Sequence, residues 1–434
     1  MVFKINDIKE LLVLQMKRFS SAELNVIRED ALKLVEKHVK APQAVVISGL
    51  RRAGKSTFLH QIAHKYYEKN AYYYINFDDD RFSDFTASDF NALLEILIEL
   101  FSERKVIFFD EIQNIDKWET FCRRLIDNGF KLYITGSNAS LLSKELGTRL
   151  TGRYFPLELF PFSFEEFLRY RKIDIKEILK ENRNVLDTKT RALLKNRLKE
   201  YILKGSIPEA LRYPELPVLK SLYRDILYRD IATRYRIEAD KTLRELSLRV
   251  FTDITSPIQF SKIKQQLGIG NVTTVTNYIS YLENSWLIFS INIFDISIKR
   301  QQIAPKKIYA IDTGLIHEIT FKFKEKQGVL LENLVFLHLR KKYQEVFYYK
   351  TKSNYEVDFF IPEAALLVQV SYDISDLETK EREIRSLIEA KSELEIDKKF
   401  KIKKLLVINF ELKDLEKIQK NTIEVIPAYE FLLS

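Results

Sequence analysis

The sequence predicts an α/β protein built on the parallel sheet of a phosphate-loop NTPase, with helical and mixed α/β modules behind it. Three observations carry that expectation. The stretch Gly49-Leu50-Arg51-Arg52-Ala53-Gly54-Lys55-Ser56-Thr57 has the spacing GxxxxGK(S/T). It stands between the apolar run 45–48 and residues at helical spacing, Phe58, Leu59, Ile62 and Ala63. Two further apolar runs, 106–109 and 131–135, end in polar residues, Asp110-Glu111 and Gly136-Ser137-Asn138. Short runs without alternation are what strands covered on both faces require.

Composition narrows the function. The chain has 434 residues, which suggests roughly three domains at about 150 residues each. With 46% hydrophobic and 30% charged residues it can bury cores and stay in solution. No apolar run reaches the roughly 18 residues of a membrane span, and the first 30 residues do not read as a signal peptide. The single cysteine, Cys122, has no intrachain partner, which points to a reducing, cytoplasmic setting. The five histidines show no zinc spacing, and no serine or cysteine nucleophile motif stands out. A formal charge of +9 permits nucleic-acid binding without requiring it. Glycine is scarce, 11 residues, yet six of them fall between Gly49 and Gly152, so the chemistry is sought there first.

The residue types of the loop match phosphate chemistry. Gly49 and Gly54 let the backbone turn tightly and present N–H groups to phosphate oxygens. The helix that follows adds its amino-terminal dipole. Lys55 supplies a point charge for the β and γ phosphates of ATP, and Ser56 a hydroxyl for Mg²⁺. Asp110, at the carboxyl end of its strand, fits the metal partner, and Glu111 the base that polarises water. Ser137 or Asn138 reads either as a contact to the γ phosphate or its water, or as an ordinary strand-end turn with a helix cap. Residues 71–76 form one more strand. Asp78, Asp79 and Asp80 read as a solvated cap on the helix after Thr86.

Together these residues resemble the AAA-like ATPase family of archaea and bacteria that carries a carboxyl-terminal restriction-endonuclease-like domain of unknown function. The resemblance rests on residues 49–57, Phe108-Phe-Asp-Glu-Ile-Gln113, Thr135-Gly-Ser-Asn138 and Arg149-Leu-Thr-Gly-Arg153. It continues through 159–167, Gly205-Ser-Ile-Pro-Glu209, Glu332-Asn-Leu-Val335 and Tyr355-Glu-Val-Asp-Phe359. It implies a strand inserted between the phosphate-loop strand and the Asp-Glu strand, and self-association through the ATPase domain. In that setting Arg149 or Arg153 is a finger for a neighbour's γ phosphate; the alternative is local ion pairs or contacts in cis.

The expected organisation is a phosphate-loop ATPase domain with amino-terminal helices over 1–160, a helical lid or connector over 161–240, a winged-helix domain over 241–314 and a degenerate restriction-endonuclease-like domain over 315–434. In the second, Ser163 and Glu166 form a capping box. In the third, Ile263, Leu267 and Ile269 form a core around a turn at Gly268. Val272, Val275, Ile279 and Leu282 are the buried stripe of a second helix, and 286–289 pairs with 291–294 as a wing. That helix carries no Lys or Arg, so packing or partner binding competes with DNA binding. In the fourth, Glu332 and Asp358 stand where metal acids are expected, but the Glu-x-Lys place reads Gln369-Val-Ser371, and the nuclease site reads as disabled. The functional expectation is a Mg²⁺-dependent ATPase, homo-oligomeric, with a protein or DNA partner and no membrane. A slow nucleotide-switched scaffold and a DNA-processing motor or nuclease are its alternatives.

Overall fold

The computed structural model describes residues 5–139, 150, 152–181, 186–238, 240–320, 327–396, 400–418 and 420–434. It divides into two compact units, residues 1–161 with 284–286, and 162–283 with 287–434.

In the first unit the three apolar runs become parallel strands. They are β1 (Ala44–Ser48), β3 (Val106–Asp110) and β4 (Lys131–Gly136), joined by β2 (Tyr72–Asn76) and β5 (Tyr154–Glu158). The order is β2-β3-β4-β1-β5. β4 pairs with both β1 and β3, so it is the inserted strand that the resemblance implies. Among the described residues five helices flank the sheet: α1 (Ile5–Ser20), α2 (Glu29–Glu36), α3 (Lys55–Tyr66), α4 (Phe90–Phe101) and α5 (Trp118–Asp127).

Period-two alternation sorts the strand residues between two cores. Ala44, Val46, Ile75, Ile107, Phe109 and Ile134 pack with α4 and α5. Val45, Ile47, Phe108 and Tyr133 pack with α2 and α3. The α1 helix contributes Ile8, Leu11 and Leu12 to the first core and Met16 and Phe19 to the second. It thereby covers the β2 edge, where the Gln15 amide both donates to the Asn76 carbonyl at 3.0 Å and accepts from the Asn76 N–H at 2.9 Å. A side chain thus stands in for a neighbouring strand. The acids after β2 do a different job from the one expected. Asp79 caps the short turn 80–82, while Thr86 and Asp89 form the capping box before α4.

The second unit begins with helices. Ser163 and Glu166 form the expected box, with Ser163 N–H donating to Glu166 at 2.8 Å. Helices 188–204, 218–225 and 240–252 follow, with a π-helical stretch over 226–233. Helices 260–266 and 272–284 flank the turn at Gly268, whose φ is +64°. Val275, Ile279 and Leu282 are buried as expected, but Val272 is 37% exposed and Tyr278 is buried in the stripe instead. The wing also differs. β7 (Ile288–Ile291) pairs with β8 (Lys306–Ala310) rather than with 291–294, and β6 (Pro257–Ile258) lies on the other edge of β8. The helix 298–303 fills the connection.

The last sheet has the order β13-β14-β12-β11-β10-β9. Its strands are β9 (Phe347–Lys350), β10 (Glu356–Ile361), β11 (Leu366–Val370), β12 (Lys404–Asn409), β13 (Asp414–Ile418) and β14 (Asn421–Pro427). β9, β10 and β11 are antiparallel, whereas β11, β12 and β14 run parallel. The helix 377–396 covers one face through Ile384, Leu387, Ala390 and Leu394.

Candidate functional site

The phosphate loop joins β1 to α3, as the spacing predicts. Gly54 has φ +94°, and the turn also holds Arg52 at φ +66°. A Cβ at Gly49 would collide with the Leu159 carbonyl, so this position accepts only glycine. The α3 helix begins at Lys55 with no side-chain cap, and its first N–H groups face the loop.

A buried arginine that sequence reasoning missed holds the loop from behind. Arg28 donates to the carbonyls of Ala53 at 3.3 Å and Phe160 at 2.6 Å, and its own N–H reaches Gln61 at 3.0 Å. Its partners lie as far as 132 positions away, so no local pattern marks it.

The expected catalytic groups converge at the carboxyl ends of β1, β3 and β4. Lys55 is only 4% exposed. Its ammonium is 3.1 Å from a Glu111 oxygen and donates to the carbonyls of Gly49 and Leu50 at 3.3 Å each. Asp110 is enclosed by hydroxyls. It accepts from Tyr74 at 2.8 Å and from Thr135. Burial and the adjacent Glu111 charge push its carboxyl up, against the pull of those hydrogen bonds.

Glu111 behaves oppositely. Burial opposes its charge, but Lys55 and a hydrogen bond from Gln113 outweigh it and hold the carboxyl below its ordinary value. Its backbone is left-handed, φ +52°, and its N–H donates to Thr135 at 3.0 Å. Ser137 Oγ lies 3.4 Å from the Gln113 amide nitrogen. Asn138 is buried, and its carbonyl accepts from Ser48 at 2.7 Å. Of the flanking arginines, Arg51 faces Asp78 at 3.7 Å.

These donors suit Mg²⁺ and a triphosphate. Ser56 and Asp110 offer only oxygen. The ammonium and the helix start lie on the loop beside them.

Arg153 is not brought to this place. It precedes β5, whose Tyr154 aligns with Ala44 at the far end of β1, and its guanidinium pairs with Asp127 at 3.1 Å. Five strand residues, about 16 Å, separate it from its own loop. Arg149 lies outside the described residues.

A second charged cluster occupies the carboxyl-terminal unit. Glu332, on the helix 327–342, and Asp358, on β10, do come together, and β10–β11 is the expected hairpin. Gln369 accepts from the Asp358 N–H at 3.2 Å, and Ser371 Oγ donates to the Asp373 carbonyl. The cation is one the sequence reading did not find. Lys307 of β8, 1% exposed, places its ammonium 3.1 Å from Glu332, 2.8 Å from Glu356 and 3.0 Å from Asp358. An ammonium has three donors, and three carboxylates take them. Against the cost of burial, these acids and Tyr309 hold the Lys307 ammonium well above its ordinary value. Burial and the Asp358 charge push Glu332 up to about 8.

Residues 41–168 match the family described as AAA domain. Residues 195–326 and 327–431 match two families described as domains of unknown function. An uncharacterized protein of Methanocaldococcus jannaschii is 34% identical over 424 residues, 94% of this chain and 91% of that protein. An uncharacterized protein of Haemophilus influenzae is 28% identical, covering 89% of this chain and 94% of its own length. Among solved structures, the Walker-type ATPase PABY2304 of Pyrococcus abyssi matches 69% of this chain and 99% of its own, with a TM-score of 0.41 at 15% identity. Sharing nearly its full length with the Methanocaldococcus protein, and carrying the loop and acids of a phosphate-binding sheet in its matched AAA domain, the chain belongs to a family of AAA-like phosphate-loop ATPases with a carboxyl-terminal domain of unknown function.

Proposed function

We propose that the chain binds ATP with Mg²⁺ at residues 49–57 and hydrolyses it. The observation that supports this most is the meeting of Lys55, Ser56, Asp110 and Glu111 at one loop, with Lys55 and Glu111 3.1 Å apart. The Gly49–Thr57 backbone and Lys55 hold the phosphates, while Ser56 and Asp110 hold the metal, which neutralises charge on the phosphate oxygens. Glu111 is the base: its carboxyl stays ionised and can take a proton from water. Ser137 lies beside Gln113, and the Asn138 carbonyl is held by Ser48 at the end of β1.

Nucleotide state then controls self-association and the engagement of a protein or DNA partner, in a cytoplasmic setting. Among the described residues no helix is long and apolar enough to cross a membrane. Arg153 is too far from its own loop for a role in cis. A finger role for it is therefore a role in a neighbour's site, with Arg149 the other choice. The carboxyl-terminal cluster already contains the Lys307 ammonium where a metal would sit, which favours a docking or assembly role over DNA cleavage.

The test is Glu111→Gln. It keeps shape and hydrogen bonding while removing the base. ATP should still bind, and hydrolysis should fall on the order of 10²–10⁴-fold. Unchanged turnover would remove Glu111 from the mechanism. Sizing in ATP, with and without DNA, distinguishes turnover coupled to DNA from ATP-dependent assembly with little turnover.

A further inference from the structure

We propose that Gln113 is the positioning residue for Glu111. It holds the carboxylate when a phosphate draws Lys55 away, and its amide oxygen accepts a hydrogen bond from the attacking water, whose proton goes to Glu111. The inference rests on the ATPase reading above.

Glu111 is pinned at its backbone. Its left-handed conformation and its N–H bond to Thr135 leave only the side chain free to move. The two carboxylate oxygens have different partners. One faces Lys55 at 3.1 Å, and the other accepts from the Gln113 amide nitrogen at 2.6 Å. Lys55 is also the group that a phosphate at this loop would claim. An anion there competes directly with Glu111 for the same ammonium. What then keeps Glu111 aimed is the short, charge-assisted bond from Gln113.

Gln113 is itself well placed for this. It sits in the turn 112–114, closed by the Asn114 N–H to the Glu111 carbonyl at 3.2 Å and the Ile115 N–H to the Ile112 carbonyl at 3.0 Å. Ile112 is fully buried, and the Asn114 amide ties the turn to the Phe77 carbonyl at 3.2 Å. The amide orientation follows from its partner. Reversed, it would set a carbonyl oxygen against a carboxylate at 2.6 Å, two acceptors without a proton between them. In the orientation that remains, the amide oxygen is buried and has no donor among the described residues. Such an acceptor is costly unless a donor reaches it. A water poised beside Glu111 offers one O–H to the carboxylate and the other to this oxygen, which fixes the direction of its lone pair.

The charged and titratable groups that face Glu111 are Lys55 from α3, Arg51 from the loop, Asp110 on β3 and Tyr74 on β2. Gln113→Ala leaves all four in place and removes only the neutral donor. That donor holds one carboxylate oxygen, so its loss lets the carboxylate turn away from the water once Lys55 is engaged by a phosphate.

The experiment measures ATP affinity, kcat and thermal stability for the unsubstituted chain, Gln113→Ala, Gln113→Asn and Glu111→Gln. Both Gln113 substitutions should leave ATP affinity within about threefold and lower kcat about 10–100-fold. A kcat within twofold, while Glu111→Gln is inactive, would overturn the role of Gln113 and leave the ATPase reading standing. Parallel losses of kcat, affinity and stability would overturn it in favour of simple packing. No turnover by the unsubstituted chain, or an active Glu111→Gln, would overturn both.

Discussion

Lys55 in the amino-terminal unit and Lys307 in the carboxyl-terminal unit are both buried lysines that face carboxylates, yet their donors are spent differently. Lys55 faces one acid, Glu111, whose side chain keeps 19% of its surface in solvent, and two loop carbonyls at 3.3 Å. These are partners that a phosphate can replace. Lys307 faces three acids between 2.8 and 3.1 Å, and Tyr309 adds a hydroxyl to Glu332 at 2.9 Å. Replacing those partners would strand Glu332 and Asp358, whose side chains keep only 13% and 9% of their surface in solvent. A buried lysine beside acids is therefore not a signature of one function. The number of acids and the ease of exchanging them decide whether it binds a ligand or ties a core.

Four substitutions would break or sharpen this contrast. The largest effect is expected from Lys307→Ala, which leaves Glu332, Glu356 and Asp358 without their cation. Breaking a buried ion cluster on one side costs roughly 3–5 kcal/mol. Denaturant unfolding followed by probes in the carboxyl-terminal unit should show it. A loss below about 1 kcal/mol would mean that the cluster hydrates or takes up another cation with ease.

Lys55→Ala should do the reverse. Glu111 can regain water, so stability should change by less than about 1 kcal/mol. Nucleotide affinity should fall at least about 100-fold, as expected when a charge-assisted phosphate contact is lost. Titration with a fluorescent ATP analogue reads the affinity. Near-normal binding would sink the phosphate-loop assignment.

Glu332 supplies the pH dependence. Its folded pKa, about 8, lies above the ordinary value of 4.5, so the folded state binds the proton more tightly than the unfolded one. The contribution is complete below the ordinary value and is lost as pH rises toward 8, with a slope of at most about 1.4 kcal/mol per pH unit. Glu332→Gln should flatten that slope in unfolding experiments between pH 5 and 8, and an unchanged slope would assign the dependence to another group.

The smallest effect is Tyr309→Phe. It deletes one hydrogen bond to Glu332 while the stacking of ring 309 on Phe336 remains. A loss of about 1 kcal/mol is expected in the same unfolding assay, against no change in ATP affinity. A loss as large as that of Lys307→Ala would make the hydroxyl, not the ammonium, the anchor of the cluster.

What the sequence by itself determined is what lies within a few residues along the chain. The loop 49–57, the strands 45–48 and 106–110, and the Ser163–Glu166 box are all legible because the turn, helix start and strand end that they need are local geometry. Asp110 and Glu111 follow from their place at the end of one strand, and β4 between β1 and β3 came from the family resemblance. The tertiary structure decided what depends on distant partners. Arg28 meets Phe160 across 132 positions, and Lys307 meets Glu332 and Asp358 across 25 and 51. No periodicity marks such residues, because a buried charge is stable only where the fold delivers its partners. The same reason explains Val272 and the wing: helical spacing named a stripe, but which turn of the helix is covered depends on its neighbours in space, and β7 pairs with β8 beyond the helix 298–303. Gln113 lies between these cases. It stood in the recognised stretch 108–113, yet its bond to Glu111 became visible only once the turn 112–114 set it beside the carboxylate.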